Sequence, residues 1–326
     1  MLGAGAWGTA LAITLSARHE VTLWVRDPAQ CAEMQASRAN WRYLPNILLP
    51  DVLQVTNDWR AALVGSEVAI VGVTVAGLRD TLRTAAAAQP LLPVIWLCKG
   101  FEAGSSKLPH QVAAEELRDE VSRGVLSGPS FAQEVARGIP AALTLAASDA
   151  AFAARMAREL HSSRLRIYSS DDLTGVEVGA AVKNVIAIAS GISDGLGFGE
   201  SARAALVTRG LAEMTRLGLR LGGRQETFMG LSGAGDLILT CTGSLSRNRQ
   251  VGLRLAAGQS LPDILQELGH VAEGVHSARE VLKLARSVCA DMPIVSAVCD
   301  VLDQRLDPQA AVNKLLSRDP KPEHRT

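Results

Sequence analysis

The stretch 178–192, VGAAVKNVIAIASGI, constrains the chain most, because as a helix it has no face fit for water. Val182, Val185, Ile186 and Ala189 fall on one side at helical spacing, and the opposite side is also small or apolar, with Gly179, Ala180, Ala187 and Gly191. A helix that is apolar all round is buried, and this one is shorter than the ~20 residues needed to cross a bilayer. It is expected to be the central helix of a core. Lys183 and Asn184 sit within it, and a buried ammonium must be paired, neutralised or put to use. Two readings stand side by side. Lys183 snorkels to solvent or pairs with a core carboxylate, or the small neighbours leave room that a substrate fills.

With 326 residues there is enough chain for two domains with full cores. Acidic and basic residues balance at 33 each and aromatics are few, which argues against a disordered or nucleic-acid-binding chain. The five cysteines are scattered and lack CxxC spacing, so neither a disulfide framework nor a zinc site is expected. This usage points to the cytosol. No signal peptide, spanning segment or internal repeat is evident, and only the tail 318–326, RDPKPEHRT, reads as disordered.

At the start of the chain, Gly3, Gly5 and Gly8 supply GxGxxG ahead of a helical run over 9–18 and a strand over 19–25. Glycines in this pattern allow a tight turn, approach of backbone amides to a pyrophosphate, and close packing of helix on strand. The alternative is an ordinary glycine-rich loop. Only Met1 and Leu2 precede the motif, so the first strand of a dinucleotide fold is expected to be truncated, its native start lying upstream. Arg26 comes after the second strand, where an arginine suits the extra phosphate of NADP, and Asp27 next to it would suit NAD.

Further strands are expected at 53–56, 68–74, 94–98, 125–127, 142–146 and 165–168, with helices at 78–88, 107–119 and 150–161 between them. That alternation predicts an α/β fold, a Rossmann-type doubly wound, mostly parallel sheet covered on both sides. Ligands then bind at the carboxyl ends of its strands. Lys99, in the turn KGFE, stands at one such end, as a ligand contact or as a surface lysine. At another, Gly128-Pro129-Ser130 leads to Ala132, and Ser130 with Gln133 is expected to form a capping box.

Beyond Tyr168 and Asp171 strand patterns cease, which sets an all-α C-terminal domain over 170–326 after a first domain over 1–169. Apolar spacing predicts helices at 200–221, 246–257, 261–268, 275–289 and 294–304. Cofactor and substrate are expected to meet in the cleft between the domains. Asp236 and Thr240 open an apolar run and need be no more than residues of a helix start. Ser246, Arg247, Asn248 and Arg249 open another helix, as a phosphate seat or as a plain cap. Glu273, in Val271-Ala272-Glu273-Gly274, has the ordinary reading of an acid favoured by a helix dipole.

Taken together, GAGAWGTALA at 3–12, KGFE at 99–102, GPSFAQEVARGIP at 128–140, GAAVKNVIAIASGISDGLGFG at 179–199, GLSGAGDLILTCTGSLSRNR at 230–249 and VAEG at 271–274 resemble the bacterial soluble NAD(P)-dependent glycerol-3-phosphate dehydrogenases. The pieces run through nearly the whole chain in the family's order. The resemblance implies reduction of dihydroxyacetone phosphate to sn-glycerol 3-phosphate by NADPH or NADH, feeding phospholipid synthesis, without a metal. It implies cofactor contacts at Gly3, Gly5, Ala6, Trp7, Gly8, Arg26, Lys99, Ala132, Arg247, Val271 and Glu273. The substrate contacts it implies are Lys99, Gly128, Ser130, Lys183, Asp236, Ser246, Arg247 and Asn248, with Lys183 the proton donor or acceptor. A homodimer is also expected, with no nucleic acid and no membrane insertion. Val75-Ala76 departs from the Pro-Ser pair usual in this family.

A ketone that accepts hydride gathers negative charge on its oxygen, and a lysine ammonium in reach can stabilise and protonate it. Lys99 and Asp236 would polarise and orient, and Arg247 and Asn248 would hold phosphate. Two rival readings remain. β-Hydroxyacid-type dehydrogenases share the two-domain plan, but place their lysine and asparagine a helical turn apart, whereas Lys183 and Asn184 are adjacent. A non-catalytic NADPH sensor would have no need of Lys99, Lys183 and Asp236.

Overall fold

The computed structural model describes residues 1–268 and 272–319. They form two compact units, Met1–Lys99 with Pro109–Leu173, and Gly100–Leu108 with the chain from Thr174 onward.

In the first unit the strands are β1 (Thr22–Trp24), β2 (Ala39–Asn40), β3 (Leu44–Leu48), β4 (Gln54–Thr56), β5 (Ala69–Val71), β6 (Val94–Trp96), β7 (Arg123–Ser127), β8 (Ala141–Ala147) and β9 (Leu165–Ser170). The helices are α1 (Ala6–Leu15), α2 (Pro28–Ser37), α3 (Trp59–Leu63), α4 (Val75–Ala88), α5 (Pro109–Glu116), α6 (Ala132–Ala136) and α7 (Ala150–Leu160). Strands pair in the order β5-β6-β7-β8-β9, and β1 pairs with β4. Leu2 joins the two sets by pairing in parallel with Trp24 and with Val71. Its N–H donates to Ile70 O at 2.7 Å and its carbonyl accepts from Gly72 N at 2.8 Å. One residue therefore fills the central place of the opening strand.

β5 and β6 are buried along their whole length, as strands covered on both faces must be. Leu11 and Leu15 of α1 and Phe152 and Met156 of α7 pack with Ile70, Ile95, Leu126 and Leu143, while Ala12 packs with Leu23, Val25 and Met34 in a second cluster. The sheet is parallel except at β7–β8, which run antiparallel with Val125 opposite Ala146. The antiparallel pair β2–β3 is not among the strands that the sequence predicts; its Leu44 and Ile47 pack with Ala10 of α1.

The second unit is helical: α8 (Leu173–Gly195), α9 (Gly199–Arg220), α10 (Gln225–Met229), a π-helical turn (Leu231–Gly235), α11 (Asp236–Thr242), α12 (Arg247–Ala256), α13 (Leu261–Leu268), α14 (Glu273–Ser287), α15 (Pro293–Leu302) and α16 (Pro308–Leu316). At 23 residues α8 is longer than its apolar pattern suggests, and long and apolar enough to cross a membrane. Length therefore does not exclude a span. Packing identifies the helix as core, because its most apolar window is wholly buried inside the protein. Val182, Val185, Ile186 and Ile188 meet Met214, Leu217, Phe228, Val281, Val295 and Val298 there.

The expectation that small residues on this helix leave room for a ligand is not met. A Cβ on Gly179 would lie 2.5 Å from the Ser232 carbonyl oxygen, and one on Gly191 would overlap the Arg249 carbonyl. The glycines admit neighbouring backbone, which brings the π-helical turn and α12 hard against α8.

Candidate active site

In the first unit the glycine turn has divided roles. Gly3 has φ 117°, and a Cβ there would lie 2.8 Å from Gly72 O, while one on Gly8 would overlap Gly3 O. A Cβ on Gly5 would meet nothing within 4 Å. Gly3 and Gly8 thus serve packing, and Gly5 leaves an open approach to the start of α1. That helix has no side-chain cap and no acid in its first turn, so its first amides suit a pyrophosphate. Asn40 of β2 steadies the turn: its Nδ2 donates to Ala4 O at 2.9 Å and to Thr9 Oγ1 at 2.8 Å. A single asparagine in a short hairpin carries no sequence signal, so this residue escapes a reading of the sequence alone.

Trp7 and Ala132 lie against one apolar cluster around Ala10, which brings these two expected cofactor contacts together. Arg26 is exposed just beyond β1, and Asp27 caps α2 by accepting from Ala29 N at 3.0 Å. At the carboxyl ends of β6 and β7, Lys99 Nζ donates to Gly128 O at 3.5 Å and Ser130 Oγ donates to the same oxygen at 3.3 Å. The expected capping box does not form. The helix begins at Ala132 with Phe131 as its N-cap residue and without a side-chain cap, so Ser130 lies one position too early.

In the second unit Lys183 is 6% exposed and Asp236 only 1%. Lys183 Nζ donates to Asp236 Oδ1 at 2.5 Å and to Thr240 Oγ1 at 2.8 Å, and Thr240 Oγ1 donates to Asp236 O at 2.6 Å. The ammonium is therefore paired with a core carboxylate, and the carboxylate and hydroxyl aim it within a water-poor setting. Asp236 does more than open a helix. Gly235 before it is already helical, so Asp236 is no cap, and its side chain turns to Lys183. Thr240 reads from its local pattern only as a helix residue; its spacing of four from Asp236, which puts both on one face, is the available clue.

The rest of the helical site converges on α8. Asn248 Oδ1 accepts from Gly274 N at 3.0 Å, and a Cβ on Gly274 would lie 2.6 Å from Asn184 O. Asn184, Asn248 and the start of α14 are thereby fixed to one another. Ser246 caps α12, its Oγ accepting from Arg249 N at 3.3 Å. Arg249 turns away to Asp194 at 2.7 Å, while Arg247 is exposed in the first turn of α12. Arg249 is thus engaged by a carboxylate, whereas the exposed Arg247 could hold an anion. Glu273 begins α14 half-buried, and Val271 lies outside the described residues. Among the described residues no three His, Cys, Asp or Glu side chains are grouped as a metal ion would require.

Comparison with known proteins identifies the family. Residues 1–153 match the NAD-dependent glycerol-3-phosphate dehydrogenase N-terminus, and residues 172–313 match the C-terminus of the same family. The glycerol-3-phosphate dehydrogenase [NAD(P)+] of Nitrosospira multiformis is 59% identical, the match covering 99% of this chain and 98% of that protein. That of Dechloromonas aromatica is 58% identical over the same shares. The crystal structure of glycerol-3-phosphate dehydrogenase from Coxiella burnetii superposes with a TM-score of 0.93 at 43% identity, covering 97% of this chain and 98% of that one. With an open glycine turn in one unit and a lysine held by an acid and a hydroxyl in the other, the chain belongs to the NAD-dependent glycerol-3-phosphate dehydrogenase family.

Proposed function

We propose that this enzyme reduces dihydroxyacetone phosphate to sn-glycerol 3-phosphate, using NADPH or NADH bound at the glycine turn. The observation that carries the proposal is the buried Lys183–Asp236–Thr240 group. The nicotinamide supplies the hydride when bound, and the residues of the chain manage charge and protons. Lys183 Nζ stabilises the ketone oxygen as negative charge develops there, then donates its proton to the alkoxide. Asp236 and Thr240 hold the amine in place and accept its remaining hydrogens. Arg247 and Asn248 take the phosphate, with the first amides of α12 behind them. Ser246, as the cap of that helix, sets its start rather than bonding strongly itself.

Lys99, Gly128 and Ser130 form a second polar group that we assign to substrate and nicotinamide positioning. Arg26 favours NADPH, because an exposed guanidinium just beyond β1 suits the extra phosphate, while Asp27 caps α2 through one carboxylate oxygen. Supply of glycerol phosphate to phospholipid synthesis, placement in the cytosol and pairing of two copies belong to the same proposal.

The test is the loss of NADPH absorbance when dihydroxyacetone phosphate is added, with 2- and 3-hydroxyacids or their keto forms as controls. Lys183→Ala is expected to lower kcat by ~10² to 10³, and Arg247→Ala to raise KM for the phosphate substrate with a smaller effect on kcat. Native turnover in Lys183→Ala would remove the assignment. Cofactor binding without any turnover would leave a sensor instead.

A further inference from the structure

We propose that the π-helical turn Leu231–Gly235, seated on Gly179, is a positioning device that sets Asp236 and Thr240 onto Lys183. The inference rests on the reading of Lys183 as the proton donor. Three contacts succeed one another at four-residue steps along two helices. Gly179 meets the Ser232 carbonyl, Lys183 meets Asp236, and Lys183 also reaches Thr240. Gly179 and Lys183 are one turn apart on α8, and Ser232, Asp236 and Thr240 are successive turns of the facing segment.

The wide turn controls the phase of that segment. Gly235 N donates to Gly230 O at 3.1 Å, a five-residue step in place of the α-helical four. Each residue added to or removed from a helix rotates the residues beyond it by about 100° about its axis. Without the extra residue, Asp236 and Thr240 would face away from Lys183. Turns of this kind are rare and recur at functional sites. The neighbouring atoms leave it little freedom: Ser232 is buried, and a Cβ on Gly233 would overlap the backbone of Phe228. A methyl group on Gly179 must push the Ser232 carbonyl outward, and with it the start of α11.

Gly179→Ala tests this, measured beside Gly191→Ala, where a methyl would strike the Arg249 carbonyl of α12 instead. For Gly179→Ala the expectation is a kcat lower by about 10² with little change in KM, a scale reached when reacting groups move by an ångström. The pH profile of kcat should shift as well, since the lysine loses part of its acid partner. Gly191→Ala should mainly raise KM for dihydroxyacetone phosphate. Gly179→Ala and Asp236→Asn should be non-additive in kcat, because both act through one pair.

Should Gly179→Ala fail to fold, deletion of Ala234 removes the wide turn without adding an atom, and must likewise depress kcat. A Gly179→Ala enzyme with lower Tm but native kcat and pH profile overturns the proposal, as does additivity with Asp236→Asn. If Lys183→Ala itself retains turnover, the reading of the active site fails, and that outcome is distinct from the failure of Gly179→Ala alone.

Discussion

At the scale of single residues, Lys183 shows how one amine satisfies two demands. A charge held among valines and alanines needs a partner, and Asp236 supplies one at 2.5 Å. Breaking such a pair leaves the other charge buried, so loss of Asp236 alone should destabilise the fold as well as impair the proposed proton transfer. Arg26 makes a different case, since it is exposed beside a carboxylate already used by a helix. Arg26→Ala is expected to raise KM for NADPH about tenfold, the worth of one hydrogen bond to a charged group, and to leave KM for NADH nearly unchanged. Steady-state kinetics with both cofactors decide this, and equal effects on the two would free Arg26 of any role in choosing between them. Asp236 reads from its own pattern only as a helix start, and Ser246, Arg247 and Asn248 as a cap or a phosphate seat, so their site roles come from the resemblance alone; the burial of Lys183 is legible from its apolar setting. Asn40 and Thr240 are not legible in this way, because their roles depend on partners 36 and 57 residues away, which no local pattern records.

At the scale of elements, the apolar helix and the alternating strands are readable because periodicity reports burial directly. The π-helical turn is not. Its sequence, LSGAG, has no apolar period, and the turn lies where backbones approach too closely for side chains, at Gly179 against Ser232 and at Gly233 against Phe228. The antiparallel run of β8 against β7 is also hidden, since a buried strand has the same composition in either direction.

Element ends matter too, as α15 shows: buried Glu213 accepts from Ile294 N at 2.8 Å and from Val295 N at 3.2 Å. Burial pushes its carboxyl from 4.5 up to about 7, against the opposing pull of those two amides. A folded-state value above the unfolded one means that the folded protein binds the extra proton, so stability falls as pH rises from about 4.5 to about 7. Glu213→Gln, which cannot ionise, should flatten this part of the curve. Melting temperatures of both proteins across that range test it, and parallel curves would contradict it.

At the scale of the whole molecule, the two units are not consecutive pieces of chain. Residues 100–108 leave the first unit directly after Lys99, and Phe101 and Leu108 bury in the core of the helical unit. Gly104 N donates to Glu280 Oε1 at 3.2 Å, and Lys283 Nζ donates to Gly104 O at 2.8 Å, fastening the excursion to α14. Phe101→Ala should destabilise the protein by about 3 to 5 kcal/mol, the usual result of emptying a buried phenylalanine site. Urea unfolding monitored by circular dichroism measures this, and a loss below about 1 kcal/mol would mean that the strap is dispensable.

The same excursion bears on how the protein is born. A ribosome delivers Phe101 and Leu108 long before the helices that shelter them, so the nascent sheet, complete by residue 173, waits with a greasy flap uncovered. Its maturation cannot be finished until α14, to which that flap is fastened, has been made.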